Sequence, residues 1–307
     1  EKNMSIDKLA AKLAAQRFVL GDGPMGSMLY AEGLSPEVSP ELLNVTQPNT
    51  ILEIMRAYVD AGSEVISTNS FGGNAGRLSR SGAAERVEEL NRAAAQLARQ
   101  VVDGRDCLVA GSVGPTGELL EPYGLLTFDE ATAMFETQVR ALVAGGVDLI
   151  LIETMTQLPE MEAAVKATRQ VSEDLFIGAS MSFNTNLHTM MGVSPLQALE
   201  ALHGWGVRLI GSNCGNGPAE IETVMAQMAA HRPEGVYLLA QSNAGLPHDE
   251  DGETVFDGTP EVMAEHAVKM MRMGVNYIGA CCGNTPAHIA AMRTALDAAA
   301  GVGGVER

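Results

Sequence analysis

Aromatic residues are scarce in this chain: they make up 4% of it, with a single tryptophan. That scarcity argues against an aromatic cage for a quaternary ammonium ligand, which needs several rings around one cation. Basic residues are outnumbered, 20 Lys and Arg against 38 Asp and Glu, for a net charge of −18. So acidic a chain is a poor partner for nucleic acid or an anionic membrane surface. No apolar run reaches the roughly 18 residues of a membrane helix, and the first residues lack a secretory apolar region, so a cytoplasmic location is expected. Four cysteines in 307 residues are no disulfide framework, and reduced thiols are expected.

What the chain does have is alternation. With 46% hydrophobic residues it can bury a large core. Short apolar runs at 18–23, 64–69, 108–112, 148–154, 175–180, 207–213, 236–241 and 275–280 read as strands. Helical patterns separate them, the clearest at 84–100, and Asn49 is expected to cap one ending at Gly62. Eight strand-helix units, with strands apolar on both faces, predict a parallel (β/α)8 TIM barrel in a single domain. An open doubly wound sheet is the alternative. Residues 1–17 read as a helical lead-in, 18–300 as the barrel and 301–307 as a flexible tail.

A barrel gathers its chemistry at the C-terminal ends of its strands. Asp22, Asn69, Glu153, Asn213, Cys214, Asn243, Cys281 and Cys282 all fall at or just past such ends. In Gly-Ala-Cys-Cys-Gly, residues 279–283, adjacent thiols on an extended backbone would face opposite ways. They can share a metal only where the strand twists into its loop, a distortion that Gly279 and Gly283 are expected to permit. Cys214 ends a similar run, so three thiols at two strand ends can close a zinc site with one position open. Cys107 begins a strand, at the opposite barrel end, and reads as a buried, inert thiol. Three thiolates on a dication leave a net negative charge, suited to donating sulfur density rather than to Lewis-acid hydrolysis. A soft substrate sulfur is the natural fourth ligand.

Asp22, in Gly-Asp-Gly-Pro-Met-Gly, and Glu153, ending Leu-Ile-Leu-Ile-Glu, are carboxylates at the ends of apolar strands. Burial there is costly without a cation or hydrogen-bond donors, so each can hold an ammonium group or cap its own loop. The glycine-punctuated turn at 23–28 adds backbone N–H groups that can hold a carboxylate. Ammonium, carboxylate and thiol together describe a thiol amino acid.

These segments, with Thr-Asn-Ser-Phe-Gly-Gly-Asn (68–74), Gly-Pro-Thr-Gly-Glu-Leu (114–119), Glu-Thr-Met (153–155), Asn-Cys-Gly (213–215) and Asn-Ala-Gly-Leu-Pro (243–247), resemble the zinc-dependent homocysteine S-methyltransferases over nearly the whole chain. The resemblance is greatest to the homocysteine module of cobalamin-dependent methionine synthases, and extends to the betaine-using branch. It implies zinc on Cys214, Cys281 and Cys282, and Asp22 and Glu153 on the homocysteine amino group. It further implies that Gly23, Pro24 and Met25 receive the carboxylate and that Asn213 and Asn243 support the site. Ala280 stands where many members have glycine, a small change.

Asn69, Phe71 and Tyr123 are assigned to the donor side, with Tyr30 also near the mouth. Gly72 follows Phe71 where the betaine-using branch has tyrosine. The expected donor is therefore a methylated corrinoid on a separate protein, with betaine or S-methylmethionine as alternatives. Homo-oligomerisation is compatible with the sequence. A rival of another class is a non-catalytic zinc- and thiol-binding barrel acting as a partner module. A lyase or aldolase is disfavoured because no lysine ends a strand. His248 lies in a Pro-His-Asp-Glu-Asp stretch expected to be a solvated surface loop, and the six histidines show no metal spacing.

Overall fold

The computed structural model describes residues 8–184, 186–250 and 253–302. The lead-in before residue 8 and most of the expected tail lie outside the described residues. Eight parallel strands form one sheet in the order β1-β10-β7-β6-β5-β4-β3-β2. They are β1 (Val19–Leu20), β2 (Val65–Ser67), β3 (Leu108–Val113), β4 (Leu149–Met155), β5 (Phe176–Met181), β6 (Leu209–Cys214), β7 (Tyr237–Ser242) and β10 (Tyr277–Ala280). A hairpin of β8 (Pro247–Glu250) and β9 (Glu253–Phe256) follows β7.

The helices are α1 (Lys8–Ala15), α2 (Met25–Ala31), α3 (Leu43–Thr46), α4 (Pro48–Asp60), α5 (Ala75–Leu78), α6 (Val87–Val102), α7 (Phe128–Gly145), α8 (Leu158–Val171), α9 (Pro195–Gly204), α10 (Pro218–Ala230), α11 (Pro260–Met273) and α12 (Pro286–Val302). Capping boxes start two of them, Thr127 with Glu130 and Ser194 with Gln197. Gly146 and Gly274, both left-handed, end α7 and α11. No helix among the described residues is long and apolar enough to cross a membrane.

The barrel follows from strand periodicity. Leu108, Ala110, Leu149, Leu151, Phe176, Leu209, Leu239 and Tyr277 form one apolar cluster inside it. The intervening Val109, Ile150, Ile152, Ile177, Ile210, Leu238 and Ile278 join the larger cluster under the helices. Leu9 and Leu13 of α1 belong to the inner cluster, so this helix plugs the end where the strands begin. The seam between β1 and β2 is closed partly by side chains. Glu64 N donates to Leu20 O at 2.8 Å. One step further, Ser67 N donates to Asp22 Oδ2 at 2.6 Å, so a carboxylate stands where a ladder carbonyl would be.

Three local expectations are corrected. The turn expected at 23–28 becomes α2 from Met25 onward, because Pro24 sits in extended geometry as its N-cap. Asn49 lies inside α4 and does not cap it; Gln47 is the N-cap, and Pro48, with its fixed φ, opens the helix. The stretch around His248 pairs as the β8–β9 hairpin, with His248 opposite Val255.

Candidate metal centre and substrate pocket

The polar ring at the mouth is a continuation of the inner face. Two residues beyond each apolar layer, the same strand phase delivers Ser67, Ser112, Glu153, Ser180, Asn213 and Gln241. Below them the barrel is apolar; above them lie the loops.

Cys281 continues the inward phase of Tyr277 and Gly279, whereas Cys214 has the outward phase of Ile210 and Ser212. Yet the sulfurs of Cys214, Cys281 and Cys282 all lie within 4.8 Å of one another. The backbone supplies the reversal. Cys214 has a φ of 65°, a left-handed conformation that turns its side chain in toward the end of β10. The distortion expected of Gly279 thus falls on Cys214 itself, while Gly283, at φ 81°, turns the chain after the doublet as expected. What Gly279 provides is space: a Cβ there would lie 3.1 Å from the Gln241 Cγ.

A left-handed non-glycine residue costs about 1–3 kcal/mol and persists only where its surroundings hold it. Two asparagines do so. Asn213 accepts from Thr154 N at 2.8 Å and from Ser180 Oγ at 2.7 Å, and donates to Thr154 Oγ1 at 2.7 Å. Thr154 is the other left-handed residue at this rim, with a φ of 63°. Asn243 donates to Gly215 O at 2.8 Å, fastening the chain just after Cys214. The turn after the doublet is tied by Asn284 Nδ2 to Ser242 O at 3.0 Å and Cys281 O at 2.9 Å.

The three thiols share their protons unequally. Cys282, as thiolate, accepts from Cys214 and Cys281 and from Ser27, which pulls its pKa down to about 3. Cys281 is pushed well above a normal thiol by its bonds to Cys214 and Cys282, and then by burial. Cys214 is lowered by a bond from Cys281 but raised more by Cys282 and burial, to about 12. A soft dication would ionise all three. The donor set fits zinc: three sulfurs from two strand ends, with the Asn243 Oδ1 nearby, buried and without a hydrogen-bond partner. Among the described residues this is the only such group of metal-ligand side chains.

Across the mouth, Asp22 is buried and Glu153 half-buried beneath the loops, and neither has a cation partner among the described residues. Burial raises each pKa to about 7, against the hydrogen bonds from Ser67 to Asp22 and from Ser112 to Glu153. The charge of Asp22 and then that of Cys282 raise Glu153 further. Beside Asp22, the Tyr58 ring lies where a Cβ on Gly23 would be, 2.8 Å away, and its hydroxyl donates to Pro24 O at 3.0 Å. Glycine is required there because the loop rests on that ring.

Of the residues assigned to the donor side, Asn69 is buried and its amide donates to Pro40 O and Asn44 Oδ1, at 2.8 and 2.9 Å. It braces the loop after β2. Phe71 packs over Gly114, and the Arg77 guanidinium lies 5.5 Å from its ring centre. Tyr123, on the loop after β3, is 74% exposed. Cys107 is buried at the start of β3, its sulfur bonded to Leu108 O. Two contributors escaped the sequence reading. Ser27 bonds the Cys282 sulfur and also accepts from Gly283 N at 3.3 Å. His288 accepts from Thr285 N at 3.0 Å through Nδ1, so its Nε2 donates to Gly258 O at 2.8 Å, tying the hairpin's exit to α12.

The molecule as a whole can be set beside known proteins. The structure of a homocysteine methyltransferase, MmuM from Escherichia coli in its oxidised form, matches with a TM-score of 0.79 over 94% of this chain and 99% of that one, at 24% identity. Its metallated form matches with a TM-score of 0.78. At that identity the likeness establishes the barrel fold. Methionine synthase of Mycobacterium tuberculosis is 31% identical over 298 residues, 92% of this chain and 25% of that protein. The Mycobacterium leprae methionine synthase is 30% identical over the same length and 24% of its own. The chain therefore spans about a quarter of the curated relatives it matches. A model of the homocysteine S-methyltransferase family aligns with residues 19–296, from the first strand into the last helix, so it takes in both the thiol cluster and the paired carboxylates. By that match, which runs through nearly all of the barrel, the chain belongs to the homocysteine S-methyltransferase family.

Proposed function

We propose that this barrel, residues 18–300, transfers a methyl group to the thiol of L-homocysteine and forms methionine. The observation that carries the reading is the convergence of three sulfurs, from two strand ends, within 4.8 Å of one another. Cys214, Cys281 and Cys282 would hold zinc. When bound there, zinc supplies a substrate sulfur that is ionised and polarizable at neutral pH.

The chain's own residues orient the substrate. Asp22 and Glu153 take its ammonium group, and in doing so become fully ionised. The backbone around Gly23, Pro24 and Met25 receives its carboxylate, held rigid by Tyr58. Asn213 and Asn243 keep the strained ends of β4 and β6 in place. With the amino acid fixed, its sulfur lone pair forms the new bond to the methyl carbon in line with the leaving group. The donor departs with the electrons of the broken bond.

The donor is read as a methylated corrinoid carried by another protein module. Support comes from the rim, where Tyr30 of α2 and the loop residues Leu119, Tyr123, Leu125, Met190 and Leu246 are exposed. Such a surface suits a docked macromolecule better than a small cation. Phe71, already packed on Gly114 and Arg77, is not free to form a cage.

One assay tests both parts. Zinc-loaded protein and homocysteine are incubated with a methylcorrinoid protein, betaine or S-methylmethionine, and methionine is measured. Methionine from the corrinoid donor alone is the expected result, and methionine from betaine would transfer the donor assignment. Homocysteine binding without methionine from any donor would favour the non-catalytic thiol-binding barrel.

A further inference from the structure

The polar ring at the mouth contains one group that nothing satisfies. Ser67 donates to Asp22, Ser112 to Glu153 and Ser180 to Asn213, and Asn213 is bonded to Thr154. Gln241 belongs to the same ring, is 3% exposed, and its Oε1 is buried without a hydrogen-bond partner. A buried acceptor left in that state costs about 1–3 kcal/mol, so its place in the interior calls for a partner.

Its position says which one. β7 lies between the two strands that carry the cysteines, and Gln241 pairs in register with Asn213 on one side and Gly279 on the other. Its side chain lies over Gly279, where a Cβ would come 3.3 Å from Asp22 O and 3.4 Å from Gln241 Nε2. The carboxamide is thus set between the thiol cluster and the β1 exit, beside the backbone of Asp22. An amide oxygen can only accept. On homocysteine with an ionised thiol, the ammonium group holds the hydrogens, since the carboxylate and the sulfur are acceptors. An ammonium has three N–H donors, and two carboxylates that already serve Ser67 and Ser112 leave room for a third acceptor.

We propose that Gln241 is a substrate-recognition residue, its Oε1 accepting an N–H of the homocysteine ammonium group alongside Asp22 and Glu153. The inference rests on the homocysteine reading and deepens it. Gln241 acts there as a specificity device, because it rejects a thiol that lacks the amine by leaving the amide oxygen orphaned.

The test is calorimetric and needs no methyl donor. Homocysteine and 4-mercaptobutanoate, the same molecule without its amino group, are titrated into zinc-loaded wild-type protein, Gln241→Leu and Gln241→Glu. Gln241→Leu should lose about tenfold in homocysteine affinity and nothing for the deamino analogue, the scale of one hydrogen bond to a charged group. Gln241→Glu keeps an acceptor and should keep the preference. Gln241→Asn, which withdraws the carbonyl by one methylene, should lose it and serves if the leucine variant does not fold. Equal losses for both ligands, or an unchanged preference in the leucine and asparagine variants, overturn the proposal. The second result is also what a trapped water would give, held between Gln241 and the equally unpartnered Tyr277 hydroxyl. Failure of wild-type protein to bind homocysteine at all would instead remove the functional reading beneath it.

Discussion

Strand β4 meets a carboxylate at each end, and the two are treated differently. Asp148, just before the strand, is bonded to the Arg99 guanidinium and accepts from Val109 N at 2.9 Å. Glu64, just before β2, likewise has Arg293 at 3.1 Å and Lys12 at 3.8 Å. At the exits, Glu153 and Asp22 have hydroxyl and amide donors but no cation, and their pKa values rise to about 7. The thiols divide in the same way: Cys107 alone and buried at the entry face, three together at the exit. The entry-face carboxylates Asp148 and Glu64 are paired with cations from the chain itself, whereas those at the exit are not. On the proposed reading the exit face is completed by what it binds, the thiols by a metal cation and the carboxylates by an ammonium.

The thiols offer the largest test of that division. Cys281→Ala should abolish zinc retention and methionine formation together, read by metal analysis after gel filtration and by the methionine assay. Cys107→Ala should leave zinc content and turnover at wild-type levels. If the two variants lost zinc alike, the contrast between the faces would not survive.

The carboxylates come next. Glu153→Gln should weaken homocysteine binding by about 10- to 100-fold, the scale of a charge-assisted bond. It should leave the ligand-free protein as stable or more so, because it removes a half-buried charge with no cation partner. Asp148→Asn should do the reverse. It leaves Arg99 without its carboxylate and should cost about 1–2 kcal/mol, lowering the melting temperature by a few degrees without changing homocysteine affinity. Loss of stability from the Glu153 change equal to that from Asp148 would show the exit carboxylate to be structural.

The same carboxylates give a pH dependence whose sign is fixed. Asp22 and Glu153 rise from 3.8 and 4.5 to about 7 in the ligand-free fold. Between those values the native protein holds protons that the unfolded chain has released. Their contribution to stability therefore falls as pH rises through the window from about 4 to 7, at about 1.4 kcal/mol per group and pH unit. Metal-free, reduced protein should show a shallower fall in Glu153→Gln than in wild type, measured by denaturant midpoints from pH 5 to 8. Homocysteine should reverse the trend in wild type, since its ammonium favours the ionised pair. Parallel curves for the two proteins would detach Glu153 from the titration.

Much of this was legible in the sequence because it is written in periodicity. Eight apolar runs predicted the barrel, and polar residues at their ends predicted which face carries chemistry. The three cysteines could be grouped because Cys214 and the 281–282 doublet occupy equivalent strand exits. What stayed hidden depends on angles and on distant partners. Nothing local to Cys214 announces a left-handed backbone, which is stabilised by Asn213 and Asn243 at other positions of the rim. Gln241 reads as the polar end of an ordinary strand, and only the bonding of its neighbours shows it to be unsatisfied. The β8–β9 hairpin was hidden by its acidic composition, which reads as solvated loop.

Ser27 offers the smallest and most selective probe of the open face. It lies within α2, which follows β1, yet its hydroxyl reaches the last loop, where it bonds the Cys282 sulfur and accepts from Gly283 N. It therefore links the first and last strand exits across the cluster. Ser27→Ala keeps all three sulfurs and every carboxylate, and removes one hydroxyl between them. With the sulfur's charge largely taken up by the metal, the hydrogen bond from Ser27 is worth about 0.5–1.5 kcal/mol net, so zinc should be released to a chelator a few-fold faster. Global stability should change little, because the serine is only partly buried and its helix ends remain capped by the backbone. A wild-type release rate would mean that Ser27 merely fills space. Release as fast as from Cys281→Ala would mean that the hydroxyl holds the loop itself, and that the exit face is less finished before ligand arrives than the contrast with the entry face implies.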